Sequence, residues 1–249
     1  MDHILGIDVG GSGIKGALVD LTKGEFVSDR IRIPTPEGFS MADVSAVIGD
    51  IVKSFDYSGK VGVGFPAPVR LNDGTVLADP TAHHVPGWKG LSAAAAFSDA
   101  AGCDVSVVND ADAAGLAEAR FGAGMGVDGT ILVLTLGTGV GSALIYNGQL
   151  VPNTELGKLY LKDHDDHAEQ YMASRIRDEL DLSYDDWGAR LNEFLVYANW
   201  LLDPKMIILG GGISKKFDKF DHTINVDSLV VPATMRNKAG IIGAAAAAV

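Results

Sequence analysis

A chain of 249 residues, 47% hydrophobic and 21% charged, is long enough for one large domain or for two lobes with separate cores. Its net charge of −12 argues against general attraction to nucleic acid or to an anionic membrane, while a local basic groove could still take a polyanion. The single cysteine, Cys103, excludes a disulfide framework and a cysteine-built zinc site; no apolar run approaches the ~20 residues of a membrane span, and the first residues read as strand rather than leader, so a cytoplasmic protein is expected.

Residues 4–20, ILGIDVGGSGIKGALVD, organise the chain. Two apolar runs rich in Ile, Val and Leu read as buried strands, and Gly10, Gly11 and Gly13 read as the hairpin turn between them. Glycines beside Lys15 let backbone N–H groups approach a phosphate while the ammonium neutralises it, and Asp8 in the same mouth is placed to hold Mg²⁺ through water. The string Gly11-Ser12-Gly13-Ile14-Lys15-Gly16 satisfies G-x-G-x-x-G literally. The dinucleotide fingerprint needs a helix next, however, and Ala17-Leu18-Val19-Asp20-Leu21 is strand-like, so that reading is rejected. No Walker A loop occurs in the chain.

Residues 25–33 read as a third strand, stopped by Pro34, Pro36 and Gly38. Residues 40–55 carry helical spacing (Val44, Val47, Ile48, Ile51, Val52) with Ser40 as N-cap. Residues 60–65 form a strand running into Gly64-Phe65-Pro66-Ala67-Pro68, a rigid loop at a strand's C-terminal end, where α/β folds place ligands. Residues 71–88 read as irregular, with a turn at Asn72-Asp73-Gly74, and 91–101 as an alanine-rich helix. Strand 105–110, VSVVND, precedes helix 111–121. Asp110 therefore has two roles open to it: cap of that helix, or general base toward a substrate hydroxyl.

A glycine-rich connector, 122–129, suggests a mobile lobe boundary. Strands 130–136 and 140–146 flank a second cluster, Gly137-Thr138-Gly139-Val140-Gly141, and echo the first hairpin, which suggests two related lobes. In the polar loop 154–158, TELGK, Glu155 is either a solvated acid or an acceptor for vicinal sugar hydroxyls. Residues 164–179 and 184–202 read as helices, with His164-Asp165-Asp166-His167 as a charged helix start rather than a metal site. Strand 205–209 runs into a third cluster, Gly210-Gly211-Gly212. Lys215, Lys216 and Lys219 read as a solvated face. A short strand at 228–231 and an alanine-rich helix at 238–249 close the chain. Three glycine clusters at strand ends suggest a divided phosphate and nucleotide site. Hairpins alternating with helices predict an α/β fold of two lobes with a ligand cleft: residues 1–109 as a small lobe completed by helix 238–249, and 110–237 as a larger one.

Four strings now resemble the ROK family (repressors, open reading frames, kinases) of the actin-like, ribonuclease H-like superfamily: DVGGSGIKGALVD its first phosphate motif, VVNDADAAGLAE its catalytic-aspartate motif, LTLGTGVGSALIYNGQL its second phosphate motif, and ILGGGIS the motif near the nucleotide base. They occur in the family's order over nearly the whole chain. PNTELG, SYDDWGARLNEFL and VVPATMRNKAGIIGAAAAA are most similar to the polyphosphate glucokinase branch, which also lacks the family's zinc cluster, and no DNA-binding helix-turn-helix is expected.

The resemblance implies a kinase that moves a terminal phosphate from polyphosphate, and ATP as a further donor, to the 6-hydroxyl of glucose. It implies Asp110 as the base; Asn109, Glu155, Lys158 and Glu169 on the sugar; and Gly64, Pro66 and Ala67 in the pocket wall. It assigns Asp8, Gly10, Gly11, Ser12, Gly13, Lys15, Thr135, Gly137, Thr138 and Gly139 to the donor phosphates and Mg²⁺, and Gly211 and Gly212 to an adenosine. It further implies a closed homodimer. Two departures fall on the sugar side. The family's Glu-x-Gly-His is Glu155-Leu156-Gly157-Lys158 here, a cation without an acceptor, and Lys158-Leu159-Tyr160 also loses an acid. His83-His84 stands before Trp88, where an asparagine is usual. An ATP-dependent kinase for another hexose or aminosugar, or a sugar sensor without catalysis, are the alternatives these departures leave open.

Overall fold

A computed structural model describes residues 3–80 and 85–249; His83-His84 lies outside them. Strands β1 (His3–Gly10) and β2 (Gly13–Asp20) pair antiparallel with Gly10 opposite Gly13, so Gly11-Ser12 is a two-residue turn. None of these glycines takes a positive φ. They serve by lacking a side chain, since a Cβ on Gly13 would lie 2.6 Å from the Arg32 Nε.

The expected third strand is two short ones, β3 (Glu25–Phe26) and β4 (Ile31–Ile33), both paired with β2. Between them the Ser28 hydroxyl accepts the Leu18 N–H at 3.0 Å, taking the place of a ladder carbonyl and interrupting the strand. Helix α1 (Met41–Ser54) is capped by Ser40, whose side chain accepts from the Asp43 N–H. Strand β5 (Val61–Phe65) then lies parallel to β1.

Helix α2 spans Ala93–Ala101 with Ser92 as its N-cap, two residues shorter than its apolar pattern suggests. Strand β6 (Val105–Asn109) lies parallel to β5, and α3 (Asp110–Phe121) follows without a break. The first sheet therefore runs β3-β2-β1-β5-β6, with β4 also on β2. Under it Phe39, Phe65, Trp88 and Phe97 pack as one aromatic cluster, with Phe65 and Trp88 centroids 4.7 Å apart.

The second sheet repeats this plan. Strands β7 (Thr130–Leu136), β8 (Val140–Tyr146) and β9 (Gln149–Val151) form an antiparallel meander, and β10 (Met206–Gly210) and β11 (Leu229–Pro232) join parallel to β7 in the order β11-β10-β7-β8-β9. The order and sense match those of the first sheet, so the second glycine cluster sits where the first one does. Its core is built from α6 (Tyr184–Leu202), with Trp187, Leu191, Phe194 and Leu195 against Leu134, Ile207 and Leu209.

The predicted helix 164–179 is not one element. His167 forms a bridge to Tyr160 and Asp163 sits at φ 64°, so helix begins only at α4 (Ala168–Met172). Ala173, at ψ 150°, then breaks it from α5 (Ser174–Glu179). His164-Asp165-Asp166-His167 accordingly precedes a helix instead of starting one.

The chain divides into two compact units, residues 1–117 with 237–249, and residues 118–236. The closing helix α7 (Ala239–Ala247) completes the first unit because glycines on β1 and β5 let its backbone come close: a Cβ on Gly62 would lie 1.8 Å from the Ala244 carbonyl oxygen, and one on Gly6 2.1 Å from that of Ile241.

Candidate active site

In the first unit the parallel strands end together. Asp8 on β1 is in register with Gly64 on β5, and Phe65 with Asn109 on β6. Asp8, the loop Gly64-Phe65-Pro66-Ala67 and the pair Asn109-Asp110 are thus delivered to the carboxyl edge of one sheet, where open α/β sheets bind ligands. Pro66 follows β5 directly, Ala67 is buried, and the Phe65–Trp88 contact supports the loop from below.

At the start of α3 the two neighbours are placed differently. Asn109, 6% exposed, is the cap: its Oδ1 accepts the N–H groups of Ala111 at 3.0 Å and Asp112 at 3.2 Å. Asp110 is the first helical residue and is exposed, with Oδ1 accepting from the Ala111 N–H at 2.8 Å. An acid there is favoured by the positive end of the helix dipole, which supports the ionised form a general base requires.

Asp8 and Lys15 stand opposite each other across the first hairpin, Nζ 3.4 Å from Oδ2. Burial pushes the Asp8 carboxyl above the usual carboxylate range, and the ammonium of Lys15 partly offsets that. The carboxylate fills the space a side chain on Gly240, in the first turn of α7, would need, 2.9 Å from its Cβ position. A single carboxylate beside a phosphate turn suits Mg²⁺, which keeps its waters and uses substrate phosphates as ligands. Among the described residues no three His, Cys, Asp or Glu gather as a metal cage.

The second unit carries the other residues singled out in the sequence. Gly137-Thr138-Gly139 turns β7 into β8, closed by the Gly137 N–H on the Gly139 carbonyl at 3.0 Å. Thr135 lies opposite Gly141 on β8 and beside Gly210 on β10. The third glycine cluster adjoins this turn: Gly211, at φ 85°, has no room for a Cβ, which would lie 2.0 Å from the Leu136 carbonyl oxygen, whereas Gly212 opens a 3₁₀ helix with free space before it. Glu169 reaches the same place, its Oε2 accepting the Val140 N–H at 3.4 Å beside Gly139.

The TELGK segment is a 3₁₀ turn pinned on β8: Ser142 Oγ donates to the Thr154 carbonyl at 2.5 Å and accepts the Leu156 N–H at 2.9 Å, and Gly157 packs on Val140. Lys158 Nζ lies 3.1 Å from Glu155 Oε2. The residue that departs from the family motif therefore spends its charge on the acid beside it.

Sequence reasoning missed two arginines. Arg32 on β4 donates from Nη2 to the Ser12 carbonyl at 2.6 Å, and Arg175 at the start of α5 donates from Nε to the Thr138 carbonyl at 2.7 Å. Each braces one glycine turn. The alternation Arg30-Ile31-Arg32-Ile33 carried the signal for the first; nothing in a helical pattern marked the second. Lys215, Lys216 and Lys219 lie exposed on the 3₁₀ segment Gly212–Lys219.

Two sheets of identical strand order, each with a glycine turn at its leading hairpin, define an α/β protein of the actin-like ATPase fold. The ROK family profile matches residues 4–167, and the chain belongs to the ROK family. It is 42% identical over 249 residues to the polyphosphate glucokinase of Mycobacterium tuberculosis, covering 99% of this chain and 91% of that one. The inorganic polyphosphate/ATP-glucomannokinase from Arthrobacter sp. strain KM superposes with a TM-score of 0.88 at 40% identity, over 99% of this chain and 98% of that one. A ROK family glucokinase from Streptomyces griseus, solved with glucose and AMPPNP, superposes at 0.81 with 24% identity over 99% of both chains, a likeness of fold.

Proposed function

We propose that the protein is a sugar kinase transferring the terminal phosphate of inorganic polyphosphate, with ATP as a second donor, to the 6-hydroxyl of glucose. The observation that carries it is the placement of Asp110 at the carboxyl end of β6: it is the exposed first residue of α3, next to Asn109, whose amide oxygen caps that helix. The relatives at 42% and 40% identity bear the corresponding activities in their names.

In this reading Asp110 accepts the hydroxyl proton as the sugar oxygen attacks phosphorus. Asn109, Glu155 and Glu169 orient sugar hydroxyls, with Pro66 and Ala67 as an apolar wall. Lys15 and the amides of the two glycine turns bind the donor phosphates and stabilise the charge that builds on the transferring group. Asp8 would hold Mg²⁺ through water; when bound, the ion neutralises charge on the donor. Gly211 and Gly212 take an adenosine when ATP is the donor. A closed homodimer in the cytoplasm belongs to the same reading, supported by family membership, and light scattering on the purified protein tests the dimer.

The Lys158–Glu155 pair favours one variation, a preference for a hexose other than glucose, because the ammonium competes for the carboxylate that sugar hydroxyls would use. Coupled phosphorylation assays on glucose and mannose, each with polyphosphate and ATP, decide both points. Turnover that falls by about 100-fold or more in Asp110→Asn establishes the reaction; turnover absent with every pair removes it.

A further inference from the structure

Lys15 is not alone beside the first glycine turn. It is paired with Asp8 across β1 and β2 and with Arg32 across β2 and β4, so Asp8, Lys15 and Arg32 form one row on a single face of the sheet. The Arg32 guanidinium leans over the turn, donating to the Ser12 carbonyl at 2.6 Å and occupying the space a Gly13 side chain would fill. Arg30 precedes it by two residues, just before β4 begins. Arg30, Arg32, Gly11 and Ser12 are all exposed.

In a chain of net charge −12 this is a local reversal, a lysine and an arginine in one row with a single carboxylate. Strands lie about 4.8 Å apart, so Lys15 and Arg32 stand as neighbours in that row. One lysine suffices for a single phosphate; a lysine with a guanidinium beside it, whose fork matches phosphate oxygens, suits a linear polyanion.

We propose that Arg32, with Arg30 behind it, is a donor-specificity residue: it holds a linear phosphoanhydride chain beyond the phosphates that Lys15 and the turn reach, and so favours inorganic polyphosphate over a nucleoside triphosphate. This deepens the kinase reading and rests on it.

The test measures binding of long-chain polyphosphate, tripolyphosphate and ATP to the full chain by titration calorimetry, alongside transfer to glucose. In Arg32→Gln, long-chain affinity falls about tenfold, the magnitude of one charge-assisted contact, while tripolyphosphate and ATP weaken by no more than about threefold. The slope of log affinity against log salt for the long chain drops by about one. Arg32→Lys restores most of the affinity, and Arg70→Gln, which removes an equal charge from a surface pair with Asp73, changes nothing. A role confined to shaping the turn would weaken all three donors equally and leave the salt slope unchanged, and that result overturns the proposal. So does a wild-type protein that binds no long chain. Long-chain binding that depends on Arg32 without transfer to any sugar would remove the kinase reading and leave the subsite; transfer from polyphosphate unaffected by Arg32→Gln would do the reverse.

Discussion

Asn109 and Asp110 are adjacent in sequence and differently placed: the Asn109 amide oxygen holds the N–H groups of Ala111 and Asp112 at the start of α3, and the Asp110 carboxylate, one residue on, is exposed. Stability and catalysis should therefore separate between them. Asp110→Asn keeps an oxygen for the Ala111 N–H and leaves the cap in place, so its melting temperature stays near wild type while turnover falls by about 100-fold or more. Asn109→Ala removes the cap and costs about 1 kcal/mol in urea unfolding. Equal loss of stability in both variants would show that Asp110 is part of the cap after all.

Two adjacent residues of similar polarity gave no way to tell in the sequence which one caps the helix, because capping depends on which side chain turns back over the first helical turn. That the fold would be an α/β duplication was legible, since each glycine turn lay between apolar runs. The break between β3 and β4 was not, because it depends on a single hydroxyl, Ser28, replacing a carbonyl in the ladder. The segment 164–179 misled for a related reason. Its apolar spacing is helical, but the Tyr160–His167 bridge and the demand that Ser174 and Arg175 meet the second glycine turn override it. Arg32 and Arg175 hold a carbonyl of a distant turn, a long-range relation: local alternation put Arg32 on a strand face without saying what it meets, and no local pattern marked Arg175.

Asp8 gives a pH dependence with a definite sign. Its carboxyl is raised in the folded state, by burial first, so the native protein binds a proton more tightly than the unfolded chain does. Between the unfolded value of 3.8 and the raised folded value, stability contributed by this group falls as pH rises, and above that window the deficit is constant. Asp8→Asn removes the term. Thermal melts should show the variant gaining on wild type from pH 3.8 upward and then running parallel to it. Lys15→Met should push the Asp8 titration, followed by carbon-detected NMR, higher still.

Glu118 is 1% exposed, and its carboxylate accepts four groups: the N–H of Ala123 at 3.0 Å, the N–H and hydroxyl of Thr234 at 3.2 Å each, and the N–H of Met235 at 2.7 Å. It thereby fastens the segment after β11 to the end of α3 inside the second unit. Glu118→Gln turns one acceptor into a donor facing donors and should cost about 2–4 kcal/mol, read as a lower urea midpoint at an unchanged slope. Glu118→Asp, one methylene shorter, should recover little, because four donors fix where the oxygens must be.

Lys158 is the last point at which geometry fixes an expectation. Its ammonium lies 3.1 Å from Glu155, both side chains are more than a third exposed, and such a pair contributes little to stability, about 0–1 kcal/mol. Its effect belongs to binding. While the pair holds, Glu155 is a weaker acceptor for a sugar hydroxyl, and the lysine adds donors but no acceptor of its own. Lys158→His restores the Glu-x-Gly-His motif that this sequence lacks, frees Glu155 at neutral pH and supplies a ring nitrogen. The expected outcome is a KM for glucose lowered about tenfold, the worth of one good hydrogen bond to a charged group, with KM for polyphosphate and ATP unchanged and a melting temperature within a degree or two of wild type. Steady-state kinetics with the sugar and the donor varied in turn measure all three. A glucose KM that does not move while the mannose KM rises would instead mark Lys158 as the residue that selects the other hexose.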